Sequence, residues 1–285
     1  MKYKHPEALV TSDWLAKNIG SPKIAIVDAS FYLPDAQRNP GTEFAVSHIP
    51  GAIFFDINAI ANLNTNLPHM LPSADKFSSN MRSLGISCEQ HVICYDTNGG
   101  PMAAMRAWWT FRIFGHEHVS VLSGGLPKWY AEGRETASGI PSSTESSYLA
   151  QFNPNLVRNI DQILKNVASQ KIQMVDARSE GRFNGTEVEP RAGIRSGHIP
   201  GAINLPFQRL LDMENYMIMR NADEITAVIT SAGIDPEKPL ISSCGSGVTA
   251  APLVLALYLL GHTQAAIYDG SWTEWGGRDD TPIDM

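Results

Sequence analysis

Of the three cysteines in these 285 residues, one stands where a sulfur can do chemistry. Cys244 follows the short apolar run Leu240 to Ser243, which reads as the end of a buried strand, and precedes Gly245, Ser246 and Gly247. The apolar run from about Val248 to Leu260 is too long for a strand. It has helical length and stops at Gly261, a residue suited to the position just past a helix C-terminus. The first turn of a helix presents N–H groups without partners and the positive end of the macrodipole. Glycines beside it let successive N–H groups converge on one point. An anion there is stabilised, and the sulfur of Cys244 is the nearest candidate. A thiol so placed is expected to be largely thiolate near neutral pH, a nucleophile in an anion-binding cradle. The alternative for a free cysteine is a buried, inert thiol. The Gly-Ser-Gly flank and the strand–loop–helix context favour the reactive reading.

The elements that must position this loop occur twice. 47-SHIPGAI-53 returns as 197-GHIPGAI-203 at an offset of 150. Ahead of each lies an apolar strand ending in Asp-Ala, 24-IAIVDAS-30 and 172-IQMVDAR-178, offset 148. Behind each come a second strand (91-HVICYD-96, 239-PLISSC-244), an apolar helix (Ala103 to Phe114, Val248 to Leu260) and a strand–Gly–Trp unit. Those last units are 119-VSVLSGGLPKW-129 and 266-AIYDGSWTEW-275, offset 146. Five elements in constant order and spacing mark a duplicated domain. Short apolar strands alternating with helices predict a mainly parallel α/β sheet flanked by helices in each half. Helices are expected over Asp13 to Asn18 and Asp161 to Val167, capped by Ser12 and Asn159. The polar stretch 133–155 reads as the connection, which divides the chain into residues 1–140, a linker at 141–155, and residues 156–285.

The copies differ where it matters. Aligning the second strands sets Asp96 opposite Cys244, so only the C-terminal half has a nucleophile, and 96-DTNGGPM-102 replaces the thiol loop. Cys94 lies within a strand and is expected to be packed; Cys88 is given no chemical role. The loop after Cys244 carries no charged side chain, so a substrate carboxylate must be held elsewhere. The segment 181-GRFNGTEVEPRAGIRSGHIPGA-202 supplies Arg182, Arg191 and Arg195, and a guanidinium grips a carboxylate through two parallel hydrogen bonds. Each could instead lie in a surface salt bridge with Glu187 or Glu189.

Together 44-FAVSHIPGAIFF-55, 197-GHIPGAI-203, 244-CGSGVTA-250 and 265-AAIYDGSWTEW-275 resemble the two-domain rhodanese-like sulfurtransferases, over almost the full length. Thiosulfate-preferring members carry basic residues directly after the cysteine. Gly245 and Ser246 stand there, which is similar to the members that use 3-mercaptopyruvate. The resemblance implies two tandem rhodanese-like domains and transfer of sulfane sulfur from 3-mercaptopyruvate to Cys244, giving pyruvate and a persulfide. A thiol acceptor such as thioredoxin or glutathione, or cyanide, then takes the sulfur. It implies Arg182 and Arg191 as the substrate-orienting pair and Gly245, Gly247, Val248 and Thr249 as substrate-site residues; Arg195 is expected to be structural or solvated. It further implies a relay of Ser246, His69 in 67-LPHMLP-72, and an acid. That acid is Asp56 or aligns with position 58, and Asn58 cannot serve as one. His48 and His198 recur in both halves and are expected to pack. Trp272 and Trp275 are expected in the core or at the domain junction, with Trp272 able to wall the pocket.

Competing activities fit less well. Thiosulfate:cyanide transfer is the alternative within the family. A cysteine phosphatase or arsenate reductase needs an arginine six residues after its cysteine, where this chain has Ala250. A binding module of this type usually lacks the cysteine. Apolar residues at 43% and charged residues at 18% describe an ordinary globular chain, and a net charge of −7 argues against nucleic acid or anionic membrane. No metal-ligand spacing, dinucleotide fingerprint or P-loop occurs, so no metal and no cofactor is expected. The odd cysteine count and the lack of an apolar leader suggest a reducing, cytoplasmic setting.

Overall fold

The structure is a computed structural model describing residues 1–33, 36–99, 102–142 and 144–285. Gly100 and Pro101, in the loop that replaces the thiol loop, and Ser143 in the connection lie outside the described residues. In chain order the first half contains β1 (Leu9–Val10), α1 (Ser12–Asn18), β2 (Ile24–Asp28), α2 (Pro40–Val46), β3 (Ala52–Phe54), α3 (Ile57–Ile60), α4 (Ala74–Ser83), β4 (His91–Tyr95), α5 (Ala103–Ile113), β5 (Val119–Leu122) and α6 (Gly125–Ala131). The second contains β6 (Val157–Arg158), α7 (Ile160–Ser169), β7 (Gln173–Asp176), α8 (Glu180–Phe183), β8 (Ile203–Asn204), a small antiparallel hairpin β9 (Leu211–Asp212) and β10 (Ile218–Met219), α9 (Ala222–Ser231), β11 (Leu240–Ser243), α10 (Ala251–Leu259), β12 (Ala266–Tyr268) and α11 (Ser271–Gly276).

The two large sheets have the same parallel strand order, β1-β5-β4-β2-β3 and β6-β12-β11-β7-β8. In each the central strand, β4 or β11, is buried almost throughout and ends at the loop in question. Ligand sites of parallel α/β sheets lie outside the carboxyl ends of their strands. The duplicated motif therefore places Asp96 and Cys244 at equivalent points, one per sheet.

Local chemistry explains most boundaries. Asn159 caps α7 with a full capping box, its side chain accepting from Gln162 N–H while Gln162 returns the bond. The cap of α1 is Thr11 rather than Ser12: the Thr11 hydroxyl accepts from Trp14 N–H, and Ser12 is already helical. The helix after Cys244 begins at Ala251 and not Val248. Pro252 sits in its first turn, and a proline ring there would collide with a helical carbonyl at Val248. Residues 244–250 are thereby released as a loop.

One hydrophobic cluster runs through both halves. α5 packs on α10, and Trp108 meets Tyr258 edge-on at 5.4 Å between ring centroids. All of α10 is apolar, and every residue but Tyr258 is buried, because it lies between its own sheet and the other half. Gly99 takes a left-handed φ of +91° that lets the backbone of the β9–β10 hairpin pack directly against it. The polar connection runs along the first half, with Gln151 N–H and Asn153 N–H donating to Phe114 and Ile113. Among the described residues no helix is long and apolar enough to cross a membrane.

Because α10 both carries the thiol loop and seals the junction, Leu255→Ala should cost about 2–5 kcal/mol, the range for a buried leucine truncation. Equilibrium urea unfolding measures it; a loss under about 1 kcal/mol would mean the helix packs less tightly than described.

Candidate active site

Cys244 leaves β11 with its backbone clamped. Its N–H donates to Ser271 Oγ at 3.2 Å, and its carbonyl accepts from Trp272 N–H at 2.9 Å. Gly245 O accepts from Thr273 N–H at 2.9 Å and from the Thr273 hydroxyl at 2.6 Å. The start of α11 thus holds the loop on one side. Ser271 does so from a left-handed backbone (φ +50°), and Gly125 occupies the matching spot in the first half at +52°. A serine bearing that strain is explained by its hydroxyl.

Residues 244–248 are buried and Gly247 is left-handed at +74°. The amides of Gly245 through Thr249 donate to no protein acceptor among the described residues. Buried N–H groups are nearly always paired, so a run of open ones describes a cradle awaiting an acceptor. The first half places a carboxylate at the point of the sulfur. Asp96 Oδ1 accepts from Asn98 N–H at 2.8 Å, and Oδ2 from Ala103 and Ala104 N–H at 3.1 and 3.0 Å. There a carboxylate built into the loop meets the donors at the start of α5. Cys244 offers one sulfur instead and leaves the loop amides open.

Arg182 and Arg191 come to this loop together. Arg182 Nη2 lies 3.1 Å from where a Cβ on Gly245 would be, so any side chain at 245 would press on the guanidinium. Burial and the charge of Arg182 lower the pKa of Arg191, and Cys244 and Glu189 oppose them. Among the described residues Arg191 makes no hydrogen bond or ion pair, and its charge is felt by that of Cys244. Arg182 is not free: Glu189 takes its Nε at 3.2 Å and its Nη2 at 2.6 Å. The pair is no surface salt bridge, since the Glu189 side chain is buried and also binds the fully buried Arg178 at 2.7 Å. Arg178 is held in turn by Asp176 and stacks over Trp272. Arg195 binds the carbonyls of Gly276, Trp275 and Thr281, a structural role.

The relay expected of Ser246, His69 and Asp56 is not closed. Both ring nitrogens of His69 are buried with no hydrogen-bond partner among the described residues, so neither Ser246 nor an acid binds it. Asp56 is occupied otherwise: its Oδ1 caps α3, accepting from Asn58 and Ala59 N–H at 2.9 and 3.2 Å. Asn58 is the first-turn residue it caps. His69 sits in a left-handed conformation (φ +60°), edge-on to Phe31 at 4.7 Å. Burial first, then the charges of Arg106 and Arg191, push its pKa down to about 3, which keeps the imidazole neutral.

His48 and His198 pack, as their repetition implies. Each stacks on a phenylalanine and donates from Nδ1 to that residue's carbonyl, Phe44 and Phe183 respectively. This match sets Phe44 opposite Phe183, and so Glu43 opposite Arg182: the first half carries an acid where the second has its cation. Trp272 and Trp275 are buried in the second core. Cys94 is buried, its thiol pushed upward by desolvation, and exposed Cys88 receives Leu149 N–H.

Sequence reasoning overlooked Arg106 and Asp269. They form an ion pair of 2.7 Å whose side chains are 2% and 6% exposed, and they come from opposite halves. Their separation of 163 residues hides the contact. The visible signal was that the copies disagree there: Ser123 stands at the place of Asp269, and Val254 at that of Arg106.

Two like sheets, with a single open thiol loop walled by arginines, define a duplicated α/β protein with one nucleophilic centre. The rhodanese-like domain model matches residues 11–132 and 159–278, and the chain belongs to the rhodanese-like family. It is 42% identical over 276 residues to the 3-mercaptopyruvate sulfurtransferase of Escherichia coli (strain K12), covering 96% of this chain and 97% of that one. It is 43% identical over 299 residues to the mitochondrial thiosulfate/3-mercaptopyruvate sulfurtransferase 1 of Arabidopsis thaliana, covering 98% and 78% respectively. The crystal structure of SseA from Escherichia coli superposes with a TM-score of 0.85 at 41% identity, covering 93% of this chain and 98% of that one.

The lowered pKa of His69 sets a sign for stability against pH. Above about pH 6.5 the ring is neutral folded and unfolded. Between there and about pH 3 only the unfolded chain takes the proton, so stability falls with acid by about 1.4 kcal/mol per unit. Below that range both states carry the proton and the loss levels off. Denaturant titrations at about pH 7 and about pH 5 should show His69→Gln losing about 2 kcal/mol less than wild type on acidification. Equal losses would mean His69 is not held neutral.

Proposed function

We propose that this protein is a sulfurtransferase that takes sulfur from 3-mercaptopyruvate onto Cys244 and passes it to a thiol. The observation that carries the substrate assignment is the pairing of an uncharged Cys244 loop with two arginines, Arg182 against Gly245 and Arg191 with its donors unused. A small donor that brings its own carboxylate has a partner in Arg191 and in the remaining N–H donors of Arg182. A thiosulfate dianion finds no cation within the loop. The relatives named 3-mercaptopyruvate sulfurtransferase support the same reading.

In the reaction, the Cys244 thiolate attacks the sulfur of 3-mercaptopyruvate. An S–S bond forms and the C3–S bond breaks. The electron pair leaves on carbon as the enolate of pyruvate, which takes a proton at C3. The open amides after Cys244 bear the negative charge of the thiolate and then of the outer persulfide sulfur. Arg182 and Arg191 hold the carboxylate and keto oxygen, with Glu189 aiming Arg182. The departing enolate needs a proton donor. We assign it to Ser246 and solvent, since His69 is neutral and reaches neither Ser246 nor Asp56. An acceptor thiolate, of the thioredoxin or glutathione class, then attacks the outer sulfur and frees Cys244.

Residues 1–140 supply His69 and Arg106 to the site, residues 156–285 supply the thiol and both substrate arginines, and 141–155 connects them. Free thiols suit a reducing compartment, and we assign the protein to the cytoplasm on that ground.

Steady-state assays with 3-mercaptopyruvate test this. Cys244→Ser should abolish turnover and the gain of one sulfur mass at position 244. Arg191→Met should raise KM about 10- to 100-fold, the loss of one or two charge-assisted hydrogen bonds. kcat/KM for thiosulfate should fall well below that for 3-mercaptopyruvate. Turnover by Cys244→Ser would refute the mechanism, and a preference for thiosulfate would refute the substrate.

A further inference from the structure

Arg106 lies on α5, in the half without the thiol, and is 2% exposed. One guanidinium there spans three acceptors. Nη1 donates to Gly247 O at 3.0 Å, and Nη2 donates to His69 O at 2.7 Å and to Asp269 Oδ1 at 2.7 Å. Its plane lies over the Trp109 ring at 4.5 Å. Asp269 commits its other oxygen to Leu71 N–H at 2.7 Å, two residues beyond His69. Gly247 must be glycine here, because a Cβ at its left-handed backbone would lie 2.8 Å from Arg106 Nη1 and 3.0 Å from Asp269 O.

We propose that Arg106 is a positioning residue for sulfur transfer: paired with Asp269, it fixes the Gly247 turn of the Cys244 loop, and the His69 turn opposite, across the seam between the halves. The proposal rests on the sulfurtransferase reading of Cys244.

Three observations separate this role from simple gluing of two domains. First, the partners of Arg106 are not a random interfacial set; its two carbonyl acceptors belong to the thiol loop and to the buried, strained His69. Second, the device is absent from the repeat. Val254 of α10 stands at the place of Arg106 and Ser123 at that of Asp269, so neither half holds its own loop this way. Each half contributes one member, and the pair meets at the loop that bears the sulfur. Third, α11 already secures Cys244 and Gly245 through Ser271, Trp272 and Thr273. Gly247 is the middle of the same loop, whose far end is tied by the Ser242 hydroxyl to Ala250 O, and Arg106 is the side-chain donor on the Gly247 carbonyl. The Ser246 amide lies between the α11 and Arg106 anchors and those of Val248 and Thr249 follow directly on the second, so their aim depends on it. Replacing Arg106 should move the amides and leave Arg182 and Arg191 untouched, because those lie with Glu189 and Arg178 in the second half.

The test compares wild type, Arg106→Lys and the double variant Arg106→Met/Asp269→Asn by steady-state kinetics with 3-mercaptopyruvate and by thermal unfolding. The double variant removes both buried charges together, and the Asp269→Asn amide keeps an acceptor for Leu71 N–H, which protects the fold. Arg106→Lys keeps a cation beside Asp269, but one ammonium cannot reproduce the fork to Gly247 and His69. Both variants should show kcat reduced about 10- to 100-fold, the scale of a small misplacement of reacting groups, with KM within about threefold of wild type. Wild-type kcat in either folded variant overturns the proposal, as does a rise in KM with kcat unchanged. Should the double variant fail to fold, Arg106→Lys decides alone. A wild type inert toward 3-mercaptopyruvate would instead fault the functional reading, so the two failures are distinct.

Discussion

A buried run of backbone N–H groups needs something to bind, and both halves of this protein are built around that need. Each central strand ends at a turn that leads into an apolar helix. In the first half the chain supplies its own acceptor, because Asp96 places two oxygens on three amides. In the second half the residue at that point is Cys244, and the amides from Gly245 to Thr249 stay without a protein acceptor among the described residues. The Asp96 side chain ties its turn to the start of α5, whereas the Cys244 loop keeps donors for a ligand. The cost of leaving buried donors unpaired, about 1–3 kcal/mol each, is tolerable only where another acceptor completes the site.

The sheets, the duplication and the thiol loop were legible in the sequence because they are local or periodic. Asp-Ala at a strand end, HIPGA, and the Gly turn before tryptophan each recur with their neighbours, and both sheets adopt one strand order. Asn159 and Gln162 announce their capping box within one helical turn. Beyond the loop the sequence offered the candidates Arg182, Arg191 and Glu189 but not their arrangement. That Arg182 pairs with Glu189, and that Glu189 leans on buried Arg178, depends on how the 181–202 segment folds back, which no short-range pattern encodes. Asp56 illustrates the opposite error. A carboxylate near a histidine suggests a relay, whereas an aspartate just ahead of a short helix also suggests a cap, and the cap is what formed. The helix after Cys244 begins late because Pro252 forbids a helical Val248, a local rule whose consequence is the free loop.

Buried cations are the second theme. Arg178 and Arg106 are almost wholly withdrawn from water, and each meets a carboxylate and at least one carbonyl. Pairing of that kind offsets desolvation only when the remaining donors are also used. The result is two charge-balanced clusters, of which Arg106 reaches the Cys244 loop from the first half and Arg182 from the second. Arg191 is the exception, since it lies half-buried with its donors unused and its pKa lowered by desolvation and by Arg182. An anionic ligand would relieve both effects at once.

The same field accounts for the state of His69. A histidine buried beside two arginines is disfavoured as a cation by burial and by both charges, and these act in one direction. Asp269 is the carboxylate that enters this cluster, but it is committed to Arg106 and to Leu71 N–H and so cannot restore a proton to the ring. His69 is thereby a neutral group with two unbonded nitrogens at the edge of an electropositive site. A catalytic acid would need the reverse: a nearby free anion to raise its pKa. The arrangement instead suits an imidazole that accepts a hydrogen bond from whatever occupies the loop, and it leaves proton delivery to hydroxyls and water. Burial first, and then the charge of the Arg106 that also holds Gly247, keep the ring neutral.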